Sequence, residues 1–281
     1  MATEAKSTAG GLIEITKTIF YAILIAVAFR TLFFQPFWIP SGSMKDTLLV
    51  GDFLFVNKMA YGYSYASCPS LRIGAIGVNL DAKTLCGFLD RDNTRFFAAP
   101  PERGDVVVFR HPQTGIDFIK RLIGLPGDRV QIRRGVIYLN GAPVPLEEAG
   151  VFTETKARQG PQGHVPLCAN DPVTPGGDCH KPRFIETLPN NVRHNVLDII
   201  DRAPLDNTHV FTVPEGHYFF IGDNRDNSVD SRLAQSRGGV GFVPYENLIG
   251  RADRIMFSSA GRSMLAFWAW RQDRFFKAVQ P

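Results

Sequence analysis

Two residues of this chain could do nucleophilic chemistry together, but only if folding joins them. Ser43 follows Gly42 within Pro-Ser-Gly-Ser-Met, residues 40–44. A serine hydroxyl attacks poorly unless a base takes its proton. His111 lies near the end of one strand-like segment and His217 begins another, and each also suits a surface or hydrogen-bonded role. Lys120 lies in Asp-Phe-Ile-Lys-Arg-Leu-Ile-Gly, residues 117–124. In extended chain Phe118, Lys120 and Leu122 share one face. An amine on an apolar face is desolvated, which favours its neutral form and lets it accept a proton. The same lysine could instead snorkel from the strand into water, and the segment alone leaves both readings open. The separation of 77 residues excludes a Ser-x-x-Lys helical turn, in which both groups sit on one helix.

The four cysteines form a second set. Cys68 and Cys86 occupy one Gly- and Ser-containing stretch, Cys168 and Cys179 another that is rich in Pro and Gly. Two local disulfides in an oxidising compartment are expected. A zinc site from His164, Cys168, Cys179 and His180 is the competing reading, with poor spacing, because adjacent residues of an extended chain point to opposite sides.

The elements that must position these groups begin with an apolar run, Thr18–Phe29, extended backwards by Leu12, Ile13 and Ile15 and forwards, past Arg30, by Leu32, Phe33 and Phe34. It is short for a bilayer, which takes about 20 residues, but Arg30 could reach the interface from a helix end. No small-residue cleavage site follows, and Phe37 and Trp38 resemble an interfacial aromatic belt. A membrane anchor is therefore preferred to a core helix or a cleaved leader. The expected layout is a cytoplasmic N-terminus (1–11), an anchor (12–36) and a periplasmic body (37–281). Beyond the anchor the signals are strand and turn: 53–62, 105–111, 117–124, 129–141, 217–224 and 242–257. Residues about 65–100 and 145–210 read as irregular insertions. The tail from Phe267 to Val279, alternating aromatics and cations, suits a docked helix or a segment lying on lipid. The body should thus be mainly β, with Greek-key or barrel-like packing. With 31 basic and 27 acidic residues spread along 281, the net charge of +4 does not point to nucleic acid. At 44% hydrophobic residues the chain can bury a core, and a mean hydropathy of −0.05 excludes a multi-pass membrane protein.

Four stretches in this order behind the apolar run resemble the motif boxes of bacterial signal peptidase I, a membrane-bound serine endopeptidase: residues 40–44 with 51–62, then 103–109, 118–128 and 222–232. The resemblance implies a signal-peptidase-like β fold and cleavage of signal peptides from exported preproteins. It implies Ser43 as nucleophile, Lys120 as general base, and Ser41 with the Ser43 N–H as the oxyanion hole. Ser228 would orient the lysine, with the Asp230–Arg232 pair behind it. By motif position Phe37, Ile39, Pro40, Met44, Phe118 and Ile119 are candidate walls of the substrate cleft. The implied enzyme uses neither metal nor organic cofactor, sits in the inner membrane as a monomer, and meets preproteins and lipid but no nucleic acid. One departure stands beside the nucleophile: Lys45-Asp46, where Met-Pro often follows. A self-cleaving repressor would need a DNA-binding domain where the apolar run stands. An anchored β domain with a dead site is the non-enzymatic alternative.

Overall fold

The computed structural model describes residues 8–68, 71–73, 78–80, 84, 86–87, 95–160, 162–261, 264 and 266–279. The expectations for residues 1–7, for the Arg30 side chain and for much of 65–100 lie outside the described residues. Helix α1 spans Thr8–Leu32, and along it Ile13, Ile15, Ile19, Phe20, Tyr21, Ile23, Leu24 and Ile25 are 52–64% exposed. Among the described residues no helix is long and apolar enough to cross a membrane.

The body is antiparallel β. Its strands are β1 (Phe34–Trp38), β2 (Asp52–Asn57), β3 (Leu71–Ile73), β4 (Val78–Leu80), β5 (Val106–Arg110), β6 (Asp117–Gly124), β7 (Arg129–Arg133) and β8 (Val136–Leu139). There follow β9 (Ala142–Pro143), β10 (Leu146–Thr155), β11 (Asp178–Thr187), β12 (Arg193–Leu197), β13 (Phe211–Thr212), β14 (His217–Ile221), β15 (Val243–Pro244) and β16 (Leu248–Ser258). A curled seven-stranded sheet runs β1-β2-β16-β5-β6-β14-β15, so the last long strand lies between β2 and β5. Strands β13-β7-β8-β9 form a second sheet, β10-β11-β12 a third, and β3-β4 pair separately.

Strand β5 explains the core. Its Val106-Val107-Val108-Phe109 run is buried throughout because both faces are covered. Val106 and Val108 pack with Ile39, Met44, Leu48, Leu54 and Ile255. Val107 and Phe109 pack with Leu122, Phe220 and Leu248 on the other face. Strand β6 pairs with β5 in register, Val107 opposite Lys120 and Phe109 opposite Phe118. Lys120 is thus fixed on a central strand rather than a loop, its neighbours along the chain held by two cores.

Two local expectations need correction. Residues 145–210 are irregular only in part, since they contain β10, β11 and β12. The hydrophobic alternation is missing because the sheet buries polar side chains: Lys181, Glu186 and His194 all point inward. The tail forms two short 3-10 turns, Phe267–Ala269 and Gln272–Arg274, instead of a longer helix. It docks through stacking of Trp270 on Phe257 and through Arg274, which donates to both Asp52 carboxylate oxygens and to the Thr47 carbonyl.

Candidate active site

Ser43 sits in the turn between β1 and β2. Lys45 N–H donates to Gly42 O and Leu48 N–H to Met44 O, while Met44 and Leu48 are fully buried beneath. From β6, Lys120 Nζ donates to Ser43 Oγ across 2.7 Å and to Ile119 O across 2.9 Å. Ser43 is 7% exposed and Lys120 4%. Burial pulls the Lys120 amine down to about 8; Asp230 and Asp223 partly oppose this, and Arg232 adds to it. Its Nζ also lies 5.5 Å from the Phe118 ring centre. The fold therefore joins a hydroxyl to an amine that can be neutral near physiological pH.

The loop after β14 holds the turn from behind. Asn224 donates its backbone N–H to Ser43 O at 3.1 Å and its Nδ2 to Gly42 O at 2.9 Å. Asp223 takes two bonds from Arg121, at 2.8 and 2.7 Å, and one from Thr47 Oγ. Approach here is close: a Cβ on Gly222 would fall 2.6 Å from both Ser43 O and Ser228 Cβ. Asp230 accepts from Gly222 N–H and pairs with Arg232. Burial would raise the Asp230 carboxyl, but Arg232 and the surrounding donors hold it below its usual range. Asp223 and Asn224 suit turn and scaffold roles by their residue types, but the partners they hold, up to 182 residues away, give no local signal.

The other expected residues divide. Ser41 is half-buried at the head of the same turn. Ser228 Oγ is buried and, among the described residues, completes no hydrogen bond of good geometry; it favours the ionised form of Asp230. The two hydrogen bonds of Lys120 go instead to Ser43 and Ile119. Ile39 and Met44 belong to the core, with Phe37 and Ile119 packed against it. Phe118 packs against the opposite core, and Pro40 is half-buried. The histidines are engaged elsewhere. The His111 Nδ1 accepts from the Gln113 and Thr114 N–H groups, so its Nε2 donates to Gly239 O. His217 Nδ1 donates to Glu215 O.

Cys68 is bonded to Cys86 and Cys168 to Cys179. The second bond consumes both thiols of the competing zinc set. Asp198, Asp206 and Asp226 bring carboxylate oxygens within 4.8 Å of one another. Asp226 Oδ2 already accepts the Ile199 and Ile200 N–H groups and Asp206 Oδ2 that of Ala203, whereas Asp198 Oδ1 is buried with no hydrogen-bond partner among the described residues. Burial, then repulsion from Asp226 and Asp206, pushes Asp198 up to about 7.

Residues 12–257 match the family model described as signal peptidase, peptidase S26. A signal peptidase I of Rickettsia typhi is 39% identical over 246 residues, 85% of this chain and 78% of that protein. The Rickettsia canadensis signal peptidase I is 36% identical over 250 residues, 86% and 79% of the two chains. A crystal structure of a signal peptidase I from Enterococcus faecalis V583 is 26% identical with a TM-score of 0.28, covering 54% of this chain and 97% of that one. The motif boxes are thus matched by similarity along most of the chain, which belongs to the signal peptidase family of serine peptidases, peptidase S26.

Proposed function

We propose that this protein is a membrane-bound endopeptidase that cleaves signal peptides from exported preproteins with a Ser43–Lys120 dyad. The observation that carries the reading is the 2.7 Å contact between a buried amine and the Ser43 hydroxyl. Neutral Lys120 accepts the Ser43 proton as Oγ attacks the scissile carbonyl. The oxyanion that develops is met by the Ser43 N–H and the Ser41 hydroxyl. The ammonium of Lys120 then returns its proton to the leaving amine, and a water deprotonated by Lys120 hydrolyses the acyl-enzyme. Ser228, whose buried hydroxyl completes no hydrogen bond of good geometry among the described residues, is the acceptor held in reserve for the ammonium once Ser43 Oγ has moved onto the carbonyl. The Asp230–Arg232 pair fixes the loop that carries Ser228. Phe37, Pro40, Phe118 and Ile119, the half-buried members of the expected set, offer the cleft walls, and Ile39 and Met44 back them from within the core.

Helix α1 holds the enzyme at the inner membrane, with residues from about 37 on the periplasmic side. Its apolar side chains are exposed, which suits a lipid environment. The body acts as a monomer on preproteins delivered within that membrane and needs no cofactor. Ser43→Ala and Lys120→Ala are each expected to abolish cleavage of a preprotein in detergent. Retained cleavage in either variant refutes the dyad. In the wild type, kcat/KM should rise with pH up to about 8, where the Lys120 amine loses its proton. A flat profile between pH 6 and 8 removes lysine from the base role.

A further inference from the structure

Lys45 and Asp46, immediately after the Ser43-Met44 pair, both find partners in the β10–β12 sheet. Lys45 is 3% exposed, and its Nζ donates to Glu154 Oε2 at 2.5 Å and to Gln159 Oε1 at 2.8 Å. Glu154, on β10, is shared with the buried Lys181 on β11, whose Nζ lies 2.6 Å from Oε1. Asp46 accepts from Asn195 Nδ2 on β12 and pairs with Arg183 on β11. The strand register places Glu154 opposite Cys179, which is bonded to Cys168, so the carboxylate sits on a cross-linked hairpin.

The link to the nucleophile is short. The Lys45 N–H closes the turn onto Gly42 O with Ser43 inside it. The Lys45 stem runs beside that turn, 3.3 Å from where a Cβ on Gly42 would lie. We propose that Glu154, acting through Lys45, is a positioning residue that sets the Ser43 turn against Lys120. The β10–β12 sheet, separate from the sheet that carries the dyad, is then a working part of the site. This rests on Ser43 being the nucleophile.

Charge balance chooses the variants. Two lysines share one glutamate, so Lys45→Met leaves a matched Glu154–Lys181 pair, whereas Glu154→Gln leaves two buried cations. The experiment uses the full chain in detergent, a preprotein substrate, and active-site titration with a serine-directed acylating reagent. Lys45→Met should lower kcat per titrated site about tenfold with KM unchanged, and slow acylation by the same factor. Glu154→Asp, which keeps the charge but draws it back, should show a smaller loss of the same kind. Adding Glu154→Gln to Lys45→Met should cost nothing further per site, since both act through one contact. A merely structural role predicts fewer titratable sites at the wild-type rate per site, and that result overturns the proposal. So does a double variant whose losses multiply. If Lys45→Met yields no folded protein, Glu154→Asp decides: a wild-type rate per site rejects the positioning role. Ser43→Ala separates the two readings. Cleavage by that variant defeats the dyad; a dead Ser43→Ala beside a fully active Lys45→Met defeats this inference alone.

Discussion

At the scale of single residues, the site joins two side chains whose usual states do not suit the chemistry, and burial changes one of them. The Lys120 amine titrates near 8 instead of 10.5, a difference of about 3 kcal/mol against its charged form. The folded pKa lies below the unfolded one, so at neutral pH the folded protein carries that cost. The cost is relieved as pH rises from about 8 to 10.5, where the unfolded chain binds the extra proton. Lys120→Met keeps the volume and removes the charge. It should abolish cleavage yet raise stability at pH 7 by about 1–3 kcal/mol, several degrees in Tm, with the gap closing by about pH 10.5. Thermal melts of both proteins at pH 7 and 10.5 test this; a variant less stable at both would mean that the lysine's hydrogen bonds outweigh its desolvation.

At the scale of elements, what was legible depended on which atoms fill each strand's environment. Strand β6 could be read to its ends because Phe118 and Leu122 share the apolar face that holds Lys120, with Ile119 and Ile123 on the other. The apolar run of β5 likewise announced a strand, though not that both of its faces are covered. Strands β10–β12 left no such trace, because Lys181, Glu186 and His194 bury polar groups that pair with one another or with distant loops. The same holds within the site. Ser43, Lys120 and Asn224 all stand in recognisable local stretches, but that Asn224 holds the Ser43 turn, 182 residues away, could not be read from its own stretch. The two bonds of Asn224 should nevertheless matter. Asn224→Ala removes the one from Nδ2 to Gly42 O and keeps the one from the backbone to Ser43 O. It should lower kcat about tenfold at unchanged KM, with stability falling by no more than about 2 kcal/mol. An unchanged kcat would show that the backbone bond alone holds the turn.

At the scale of the whole molecule, the β10–β12 sheet is welded to the loop after β14 by buried charge. Glu186 on β11 accepts from Arg225, which follows β14, at 2.8 Å, and lies 3.2 Å from His194 Nε2 on β12. Burial alone would raise the Glu186 carboxyl, but Arg225 and His194 bring it down to about 2. Its folded pKa lies below the ordinary 4.5, so its stabilising contribution is complete above that value and is lost as pH falls toward 2. Burial, reinforced by Arg121, keeps the His194 imidazole below its usual pKa, so at pH 7 it is neutral and Arg225 is the partner that counts. Glu186→Gln keeps the shape and strands that guanidinium. It should cost about 3 kcal/mol at pH 7, read as a lower urea midpoint. As the solution is taken to pH 3 and below, the wild type protonates the same carboxylate and the two midpoints should converge. Convergence ties acid stability to this one junction between sheets, because a packing defect would lower both midpoints by the same amount at every pH. A gap that stays constant from pH 7 to pH 2.5 would therefore remove the charge from the explanation and leave the junction held by shape alone.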